Sequence, residues 1–467
     1  MPKLVLNHNY AHAAQTMVQM FFPSPAACDS YVVESGLDDG FARATVYING
    51  VEASSCVLPP SSAPYLPEKR MIMLALYHAL QDAVGVYSPW GALVGIRPSK
   101  MVREWLNNGY SKNEVAQILH DPFCVNEEKA WLAIAVAQAE RRLTDKIHLL
   151  GSKPVGIYVS IPFCPSRCVY CSFNTCDRPA DADVMARYVQ ALAAECQAKA
   201  TLLKQMGGIV SSIYIGGGTP TVLDDDLLRR VLEVVGSFFR AQEFTVEAGR
   251  PDTLTPQNLR ILRSFGVNRL AVNPQTLNDR TLKIIGRNHT ADDFFKAFDM
   301  ARFAGFDCIN TDVIVGLPGE CADDMRRTME SIETLSPENI TVHTLAVKRA
   351  SRLPQRLGDY SLPDAHATES MLVTAAASIA KIGLKPYYLY RQKNMTGLFE
   401  NVGYAKSGCE CLYNVGMMAE TQTVLGIGAG AVSKFVDSES ISREFNPKSP
   451  ELYIENMKKA NFLFSSK

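Results

Sequence analysis

The sequence lacks the features that mark membrane, exported and nucleic-acid-binding proteins. No apolar run reaches the roughly 18–20 residues that a membrane-spanning helix needs. The formal net charge at pH 7 is −1, so the composition indicates neither a basic surface for nucleic acid nor an acidic tail. The first residues, MPKLVLNHNYAHAA, do not show the charged-then-apolar pattern of an export signal. We therefore expect a cytoplasmic protein with no membrane span and no nucleic-acid partner.

A disulfide framework is not expected either, although the chain has 12 cysteines. Disulfides persist in oxidising compartments, and most of these cysteines are scattered singly, which is typical of buried free thiols. The length of 467 residues predicts two or three domains. A hydrophobic content of 47% is enough for sizeable cores.

The order of predicted elements divides the chain into three parts. Residues 1–150 begin with alternating apolar and polar sequence around Asn49-Gly50, a hairpin turn signal, and continue with helical stretches. This pattern predicts an N-terminal α+β accessory domain. Residues 351–467 are interpreted as a small C-terminal region that covers the substrate side of the middle part.

The middle part, residues 151–350, alternates strand and helix patterns. Such alternation predicts parallel βα units in an α/β fold. Six units are too few for an eight-unit barrel, so we expect an open, partial barrel, with a doubly wound sheet as the alternative. The strand candidates are 155–161, 211–216, 243–248, 269–273, 308–316 and 339–346.

Three cysteines stand out by their spacing. Cys164, Cys168 and Cys171 follow the first of these strands in the order C-x3-C-x2-C. A structural zinc site needs four ligands, usually as two separated pairs, and although Cys176 could be a fourth, no second pair follows. A redox dithiol would leave Cys164 unexplained. An iron–sulfur cluster on three thiolates is favoured, with one iron left open for a small molecule.

The longer string YVSIPFCPSRCVYCSF, residues 158–173, resembles the radical S-adenosylmethionine (SAM) superfamily. It is most similar to the branch of the coproporphyrinogen III dehydrogenases and haem chaperones, the HemN/HemW-like branch. The strings GIRPSK and VHTLAVKRASRL further resemble the HemZ-type dehydrogenases. The resemblance covers about 155–435. It implies a partial (β/α)6 radical SAM barrel, a [4Fe-4S] cluster on the three cysteines, and SAM at the open iron.

The resemblance also assigns SAM contacts. At the cluster it implies contacts from Tyr158, Tyr170, Gly217, Gly218, Thr219 and Glu247. It implies contacts to a second SAM from Gln275, Arg287 and Asp312, with Ala346 and, less closely, Val432 at further SAM-contacting positions. From the residues alone, Glu247 is equally a surface charge, and a buried ion pair between Asp312 and Arg287 is an alternative. Whether one or two SAM molecules bind stays open.

The resemblance implies the oxygen-independent oxidative decarboxylation of two propionates of coproporphyrinogen III, which gives protoporphyrinogen IX in haem biosynthesis. A radical from SAM would remove a hydrogen from each propionate, and loss of carbon dioxide and an electron would leave a vinyl group. The electron that cleaves SAM would come from a donor such as a flavodoxin or ferredoxin.

Cationic side chains should bind the substrate carboxylates, with a solvated basic face as the alternative. The candidates are Lys348, Arg349, Arg352, Arg356, Arg391 and Lys393. Three tyrosines could stack on a tetrapyrrole, although tyrosines in a strand more often serve packing. They are Tyr387, Tyr388 and Tyr390.

Two departures from the family pattern bear on function. Phe173 stands where the best-known dehydrogenases have a fourth cysteine, a difference shared with the haem chaperones. Tyr413, in CECLYNVGMM, stands where the chaperone pattern has a histidine, a common haem ligand, which counts against a haem carrier. A haem-binding chaperone-like protein and another SAM-dependent tetrapyrrole enzyme, such as a haem-opening one, are the alternatives. Cys409 and Cys411 are interpreted as structural or redox-sensitive thiols.

Overall fold

The structure, a computed structural model, describes residues 2–22, 30–95, 97–173, 181–392, 395–437 and 440–465, without the side chains of 356–357 and 460–465. Cys176 and Lys393 lie outside the described residues, as does the side chain of Arg356. The described strands are β1 Lys3–Asn7, β2 Tyr31–Asp38, β3 Phe41–Ile48, β4 Val51–Leu58, β5 Pro154–Ile161, β6 Ile209–Gly217, β7 Glu243–Glu247, β8 Arg269–Ala271, β9 Cys308–Val315, β10 Asn339–Thr344, β11 Lys385–Tyr390, β12 Asn401–Ala405, β13 Thr423–Ile427, β14 Val432–Val436 and β15 Ile441–Phe445.

The described α-helices are α1 Ala11–Phe21, α2 Glu68–Val84, α3 Pro98–Asn107, α4 Lys112–His120, α5 Glu127–Leu149, α6 Ala182–Met206, α7 Asp225–Phe238, α8 Pro256–Ser264, α9 Asp279–Ile284, α10 Ala291–Phe303, α11 Ala322–Leu335, α12 Ala365–Lys381, α13 Leu412–Ala419 and α14 Pro450–Ser465. Within the described ranges, no helix combines the length and the apolarity that crossing a membrane requires. The chain forms two compact units, Met1–Gln138 with Leu389–Glu400 and Ala139–Tyr388 with Asn401–Lys467.

The first unit contains a four-stranded sheet in the order β1-β2-β3-β4. β1 is parallel to β2, and the other pairs are antiparallel. Asn49 and Gly50 join β3 to β4 with φ of 54° and 78°, which is the backbone of the predicted hairpin turn. The helices α1–α4 belong to the same unit as this sheet.

A segment from late in the chain completes this unit. Within it, Glu400 accepts hydrogen bonds from Trp90 Nε1 at 2.7 Å and from Lys129 Nζ at 2.6 Å. Arg391 donates to the carbonyls of Leu93 and Leu398 and lies over the Trp90 ring, 5.7 Å from its centroid. Buried charges with such partners hold the segment 389–400 in place, because an unpaired buried charge is costly.

The second unit contains a sheet in the order β11-β12-β10-β9-β8-β7-β6-β5-β13-β14-β15. The strands β5 to β10 lie side by side in chain order and are all parallel. β13 adds a further parallel strand beside β5, and β12 lies antiparallel to β10. Six successive parallel βα units confirm the predicted α/β fold.

The parallel strands of this sheet have two chemically different faces. Ile157, Val159 and Ile161 of β5 are fully buried in an apolar cluster with residues of the surrounding helices. Because side chains alternate along a strand, Tyr158 and Ser160 point to the opposite face. That second face carries polar side chains, and its carboxyl edge is the place where chemistry is expected in βα folds.

Candidate functional site

The loop after β5 carries the three cysteines and is tied down at both ends. Phe163 is 2% exposed and packs edge-on against Tyr188, with ring centroids 5.1 Å apart. The amide of Val169 donates to Ile285 at 3.1 Å, and Ser166 Oγ donates to the carbonyl of Gly286 at 2.8 Å. The loop therefore has a fixed path between the sheet and α9.

The cysteine side chains lie in a largely buried setting. Cys168 is buried, while Cys164 and Cys171 are partly exposed. Burial raises the pKa of Cys164 to about 11; a hydrogen bond with Thr219 and the charge of Arg250 lower it, and the two other cysteines raise it. A thiol must lose its proton to bind a metal, so binding here releases protons.

The donor set fits an iron–sulfur cluster with one open iron. All three cysteines are free thiols, and Cys164 interacts electrostatically with both others. Among the described residues, no three histidine, cysteine or carboxylate side chains converge closely enough to share a single metal ion. A four-iron cluster does not need such convergence, because each thiolate binds a different iron.

The glycine turn after β6 fits against the cysteine loop. The amide of Gly218 donates to the carbonyl of Ile161 at 2.8 Å, and the amide of Thr219 donates to that of Phe163 at 2.7 Å. Thr219 Oγ1 shares a hydrogen bond with Cys164 Sγ at 3.5 Å. Gly217 has a φ of 100°, which favours glycine. The glycines therefore allow two backbones to meet beside the first cysteine.

Two acidic residues, Glu247 at the end of β7 and Asp312 in β9, interact electrostatically across β8. Burial raises the pKa of Glu247 to about 7, and the charge of Asp312 adds to that rise. Tyr214 donates to Glu247 Oε2 at 3.4 Å. Burial also raises the pKa of Asp312, but hydrogen bonds from His343 and from Asn310, at 2.7 Å, outweigh it and leave that pKa lowered. Asp312 is therefore a carboxylate at neutral pH, whereas Glu247 gains and loses its proton close to pH 7.

Arg287 and Asp312 do not form the direct ion pair that was the alternative prediction. Arg287 is 5% exposed and donates from Nη1 to the carbonyl of Asn273 at 2.5 Å and from Nη2 to that of Gly249 at 2.6 Å. The carboxylate of Asp312 instead lies 3.5 Å from His343 Nε2. The two charges therefore have separate partners.

Gln275 and Arg287 each keep a buried polar atom without a partner. Oε1 of Gln275 and Nε of Arg287 have no hydrogen bond within the protein. Gln275 has a φ of 69°, rare for a residue other than glycine, and its amide donates to the carbonyl of Asp312 at 3.0 Å. Such unpartnered atoms need an explanation, and a polar ligand at this edge, as SAM would be, supplies one.

Three tyrosine rings stack on the polar face of the sheet. Tyr158 and Tyr214 are paired in register on β5 and β6, and Tyr413 of α13 lies 5.9 Å and 4.7 Å from them between ring centroids. Tyr413 is 6% exposed, and burial raises the pKa of its phenol. Tyr413 therefore serves packing and stays protonated.

The remaining predicted SAM contacts lie at the same edge of the sheet. Tyr170 packs beside Val169 and Leu282, and burial, followed by the charge of Cys168, raises its pKa. Ala346 is 6% exposed and lies two residues beyond the end of β10. Val432 begins β14, which runs antiparallel to β13, so it also lies at this edge, but two strands away from β5 in the strand order.

The predicted substrate cations have different surroundings. Lys348 lies over the ring of Phe173, 5.3 Å from its centroid, and burial lowers its pKa. Phe173 itself is 72% exposed. Arg349 is exposed, whereas Arg391 is engaged inside the first unit by the contacts given above.

The predicted aromatic residues of β11 are largely packed. Tyr387 and Tyr388 are 2% and 5% exposed, with ring centroids 4.8 Å apart, while Tyr390 is half-buried. The structure therefore favours packing over stacking on a ligand for Tyr387 and Tyr388.

Cys411, one of the two cysteines interpreted as structural or redox-sensitive, has a structural contact. Its Sγ donates to Glu243 Oε1 at 3.4 Å.

Sequence reasoning missed several polar residues at the site. Arg250 and Asp252 lie in the loop after β7, and Arg250 Nη1 is 3.9 Å from Cys168 Sγ. His343 of β10 faces Asp312, and Asn273 Oδ1 accepts from the amide of Asp312 at 3.1 Å. The string TVEAGRPD placed Arg250 three residues after Glu247, and this was a usable signal.

Replacing Glu247 with glutamine should change how stability depends on pH. Between about pH 4.5 and 7 the native carboxyl holds a proton that the unfolded one has lost. The free energy of unfolding of the wild type should therefore fall as pH rises through this window, by about 1–3 kcal/mol. In Glu247→Gln, the free energy of unfolding should not show this decrease. Urea unfolding of the metal-free protein at pH 5 and pH 8 measures it.

The matched control is Glu455→Gln, which removes an exposed carboxylate of α14. It should keep the wild-type dependence on pH. Equal slopes for Glu247→Gln and the wild type would show that this carboxyl is not protonated in the native state.

Comparison with known proteins places this site in a family. Residues 158–332 match the sequence model of the protein family described as the radical SAM superfamily. The "Oxygen-independent coproporphyrinogen-III oxidase-like protein HemZ" of Bacillus subtilis (strain 168) is 38% identical over 83% of this chain and 78% of its own length. The "Heme chaperone HemW" of the same organism is 32% identical over 59% of this chain and 69% of its own.

A solved structure shares the fold. Coproporphyrinogen III oxidase (HemN) from Escherichia coli superposes with a TM-score of 0.54 at 22% identity, over 71% of this chain and 72% of its own. The chain therefore belongs to the radical SAM superfamily, whose members hold a [4Fe-4S] cluster and SAM, within its HemN/HemW-like branch.

Proposed function

We propose that this protein is an oxygen-independent coproporphyrinogen III dehydrogenase, which converts two propionates of its substrate to vinyl groups. The observation that carries the choice within the branch is Tyr413. A haem carrier needs an accessible ligand for the haem iron. Tyr413, at the position of the chaperone histidine, is buried in a stack of three tyrosines, and its raised pKa keeps it from acting as a phenolate ligand.

The protein's own residues would prepare the site. When bound, the cluster and SAM supply hydrogen-atom abstraction. Cys164, Cys168 and Cys171 would hold three irons, and the turn at Gly218 would let SAM approach the sheet backbone closely. Glu247, whose pKa is about 7, can donate a hydrogen bond to SAM in its protonated form and accept one in its ionised form.

The polar atoms beyond Glu247 would bind further ligand groups. The unpartnered Oε1 of Gln275 and Nε of Arg287 can each bind a polar group of SAM, and the charge of Asp312 suits a cationic one. If these three residues bind a second SAM, anaerobic titration of the reconstituted protein should give two SAM molecules per chain, and one if all contacts belong to the same SAM.

The proposed substrate has four carboxylates, and its propionates would have to reach SAM, which would occupy the open iron. Lys348 lies beside the cysteine loop, half-buried over the exposed ring of Phe173. A lysine in this place can bind a propionate while the ring packs against the tetrapyrrole. Exposed Arg349 would bind a second carboxylate. The electron would come from a flavodoxin- or ferredoxin-like donor.

The reaction is tested under anaerobic conditions with reconstituted protein, a reductant, SAM and coproporphyrinogen III. We expect protoporphyrinogen IX, two molecules of carbon dioxide per product, and release of methionine. Each propionate loses one carbon dioxide, one hydrogen atom, which 5′-deoxyadenosine takes up, and one electron, which replaces the electron used to cleave SAM. One SAM should therefore be cleaved for each vinyl group formed. The same mixture without SAM is the control.

Two other outcomes would contradict the proposal. SAM cleavage with intact coproporphyrinogen and stoichiometric binding of haem would favour a haem carrier. SAM cleavage that consumes haem would favour a haem-opening enzyme. Haem titration and porphyrin chromatography on the same samples distinguish the three.

A further inference from the structure

Arg250 is a buried cation directly beside a cluster ligand. It lies in the loop after β7, is 3% exposed, and its Nη1 is 3.9 Å from Cys168 Sγ. The same nitrogen donates to Ser166 Oγ at 3.0 Å. One edge of the guanidinium therefore faces the cysteine loop at the most buried of the three cysteines.

Asp252 holds the other edge of this guanidinium. Its carboxylate accepts from Arg250 Nε at 3.0 Å and from Nη2 at 2.9 Å. This two-point contact fixes the plane of the guanidinium and places the cation between the carboxylate and Cys168. The side chain of Asp252 is 20% exposed, so its charge is only partly screened by solvent.

The other charged or titratable side chains around the cysteine loop have contacts of their own. His289 lies 3.9 Å from Asp252, but burial lowers its pKa to about 3, so it is neutral. Arg287 is engaged by two backbone carbonyls on the neighbouring strand end. Lys348 is on the side of Cys171 and Phe173. Arg167, next to Cys168 in the chain, donates to the carbonyl of Ala350 at 2.9 Å. Arg250, in contrast, contacts the sulfur of Cys168 itself, with Asp252 as its carboxylate partner.

We propose that Arg250 and Asp252 together set the reduction potential of the [4Fe-4S] cluster. Reduction adds one negative charge to the cluster. A nearby cation and an N–H group that donates to a ligand sulfur stabilise the reduced form and raise the potential, whereas a nearby carboxylate lowers it. The two residues therefore act with opposite signs on the same cluster. The inference rests on the cluster of the family and not on the choice of tetrapyrrole substrate.

The experiment is a redox titration of the holoprotein, followed by the electron paramagnetic resonance signal of the reduced cluster, without SAM. Arg250→Gln should shift the potential to more negative values, and Asp252→Asn should shift it to more positive values. An effect of about tenfold in the reduction equilibrium corresponds to a shift of 59 mV for one electron. Arg250→Lys, which keeps the charge but loses the planar contact, should shift the potential less than Arg250→Gln.

The alternative is that Arg250 only fastens the cysteine loop through Ser166. A purely structural role predicts that the variants lose iron or keep the wild-type reduction potential. It does not predict potentials that shift in opposite directions in Arg250→Gln and Asp252→Asn. Iron content is therefore measured for each variant. Potentials equal to the wild type, shifts in the same direction for Arg250→Gln and Asp252→Asn, or loss of the cluster from all three variants would each overturn the proposal. If Arg250→Gln alone loses iron, the signs for Asp252→Asn and Arg250→Lys decide it.

Discussion

Replacing Cys168 with alanine should yield a protein that retains no [4Fe-4S] cluster after reconstitution and does not cleave SAM. Cys168 is the buried member of the three cysteines, so water cannot easily take its place as a ligand. Loss of a residue that merely supports a metal ligand costs about 10–100-fold in affinity, and loss of a ligand itself should cost more than that. Iron and sulfide content, visible absorbance and methionine release measure the effect.

The control for this variant is Cys321→Ser. Cys321 is exposed at the start of α11, where it contacts Asp324 at 3.3 Å. A serine caps a helix at least as well, so the variant should keep both iron and SAM cleavage. An alanine variant at 168 that stays brown, with wild-type iron, would contradict the assignment of the cluster to this loop.

The sequence predicted the parallel strands well because their signals are local. The strand predicted at 155–161 is observed as Pro154–Ile161, and the one at 308–316 as Cys308–Val315. A short apolar run bounded by turn residues is enough to indicate a buried strand. The shortest strand was overestimated, since β8 ends at Ala271 and not at 273. After Ala271 the regular pairing of β8 with its neighbours ends, and the backbone amide of Gln275 donates to the carbonyl of Asp312.

The partners of the site residues could not be predicted in the same way. Asp312 meets His343 because β9 and β10 pair in a particular register, and Tyr413 reaches Tyr214 from a helix far along the chain. Both contacts join residues that are far apart in the chain, so a short stretch of sequence cannot predict them. The same holds for Glu400, whose partners Trp90 and Lys129 are about 300 residues earlier.

The resemblance supplied residue positions, and the structure supplied their chemistry. Glu247 was predicted as a SAM contact, but its proton near neutral pH follows from burial and from Asp312. Arg250 lies within the same motif and was passed over because the family pattern gave it no role. Its importance appears only when its distance to Cys168 is known.

Replacing Gly218 with alanine should separate the glycine turn from the cysteine loop. A Cβ atom at this position would lie 2.4 Å from the carbonyl oxygen of Phe163 and 2.8 Å from that of Ile161. Both are backbone atoms next to β5, and Phe163 is fixed by its buried ring, so neither can move aside cheaply. The steric cost is about 1–3 kcal/mol.

This cost should appear mainly as weaker binding of SAM. The turn keeps its position through hydrogen bonds from Gly218 to Ile161 and from Thr219 to Phe163, and both must lengthen. Because 1.4 kcal/mol is tenfold in affinity, the Kd for SAM should rise by about tenfold or more. Anaerobic titration calorimetry of the reconstituted protein measures it, with thermal unfolding in parallel.

Gly236→Ala distinguishes this local effect from a general effect of the substitution. Gly236 lies in α7, and a Cβ atom there would meet no atom within 4 Å. Alanine is favoured over glycine inside a helix by up to about 1 kcal/mol, so this variant should be slightly more stable and bind SAM as the wild type does. If Gly218→Ala also binds SAM with wild-type affinity, the turn after β6 is not part of the SAM site. SAM would then have to be held by the residues at the ends of β7 to β9, among which Glu247 and Gln275 have the free polar capacity to do so.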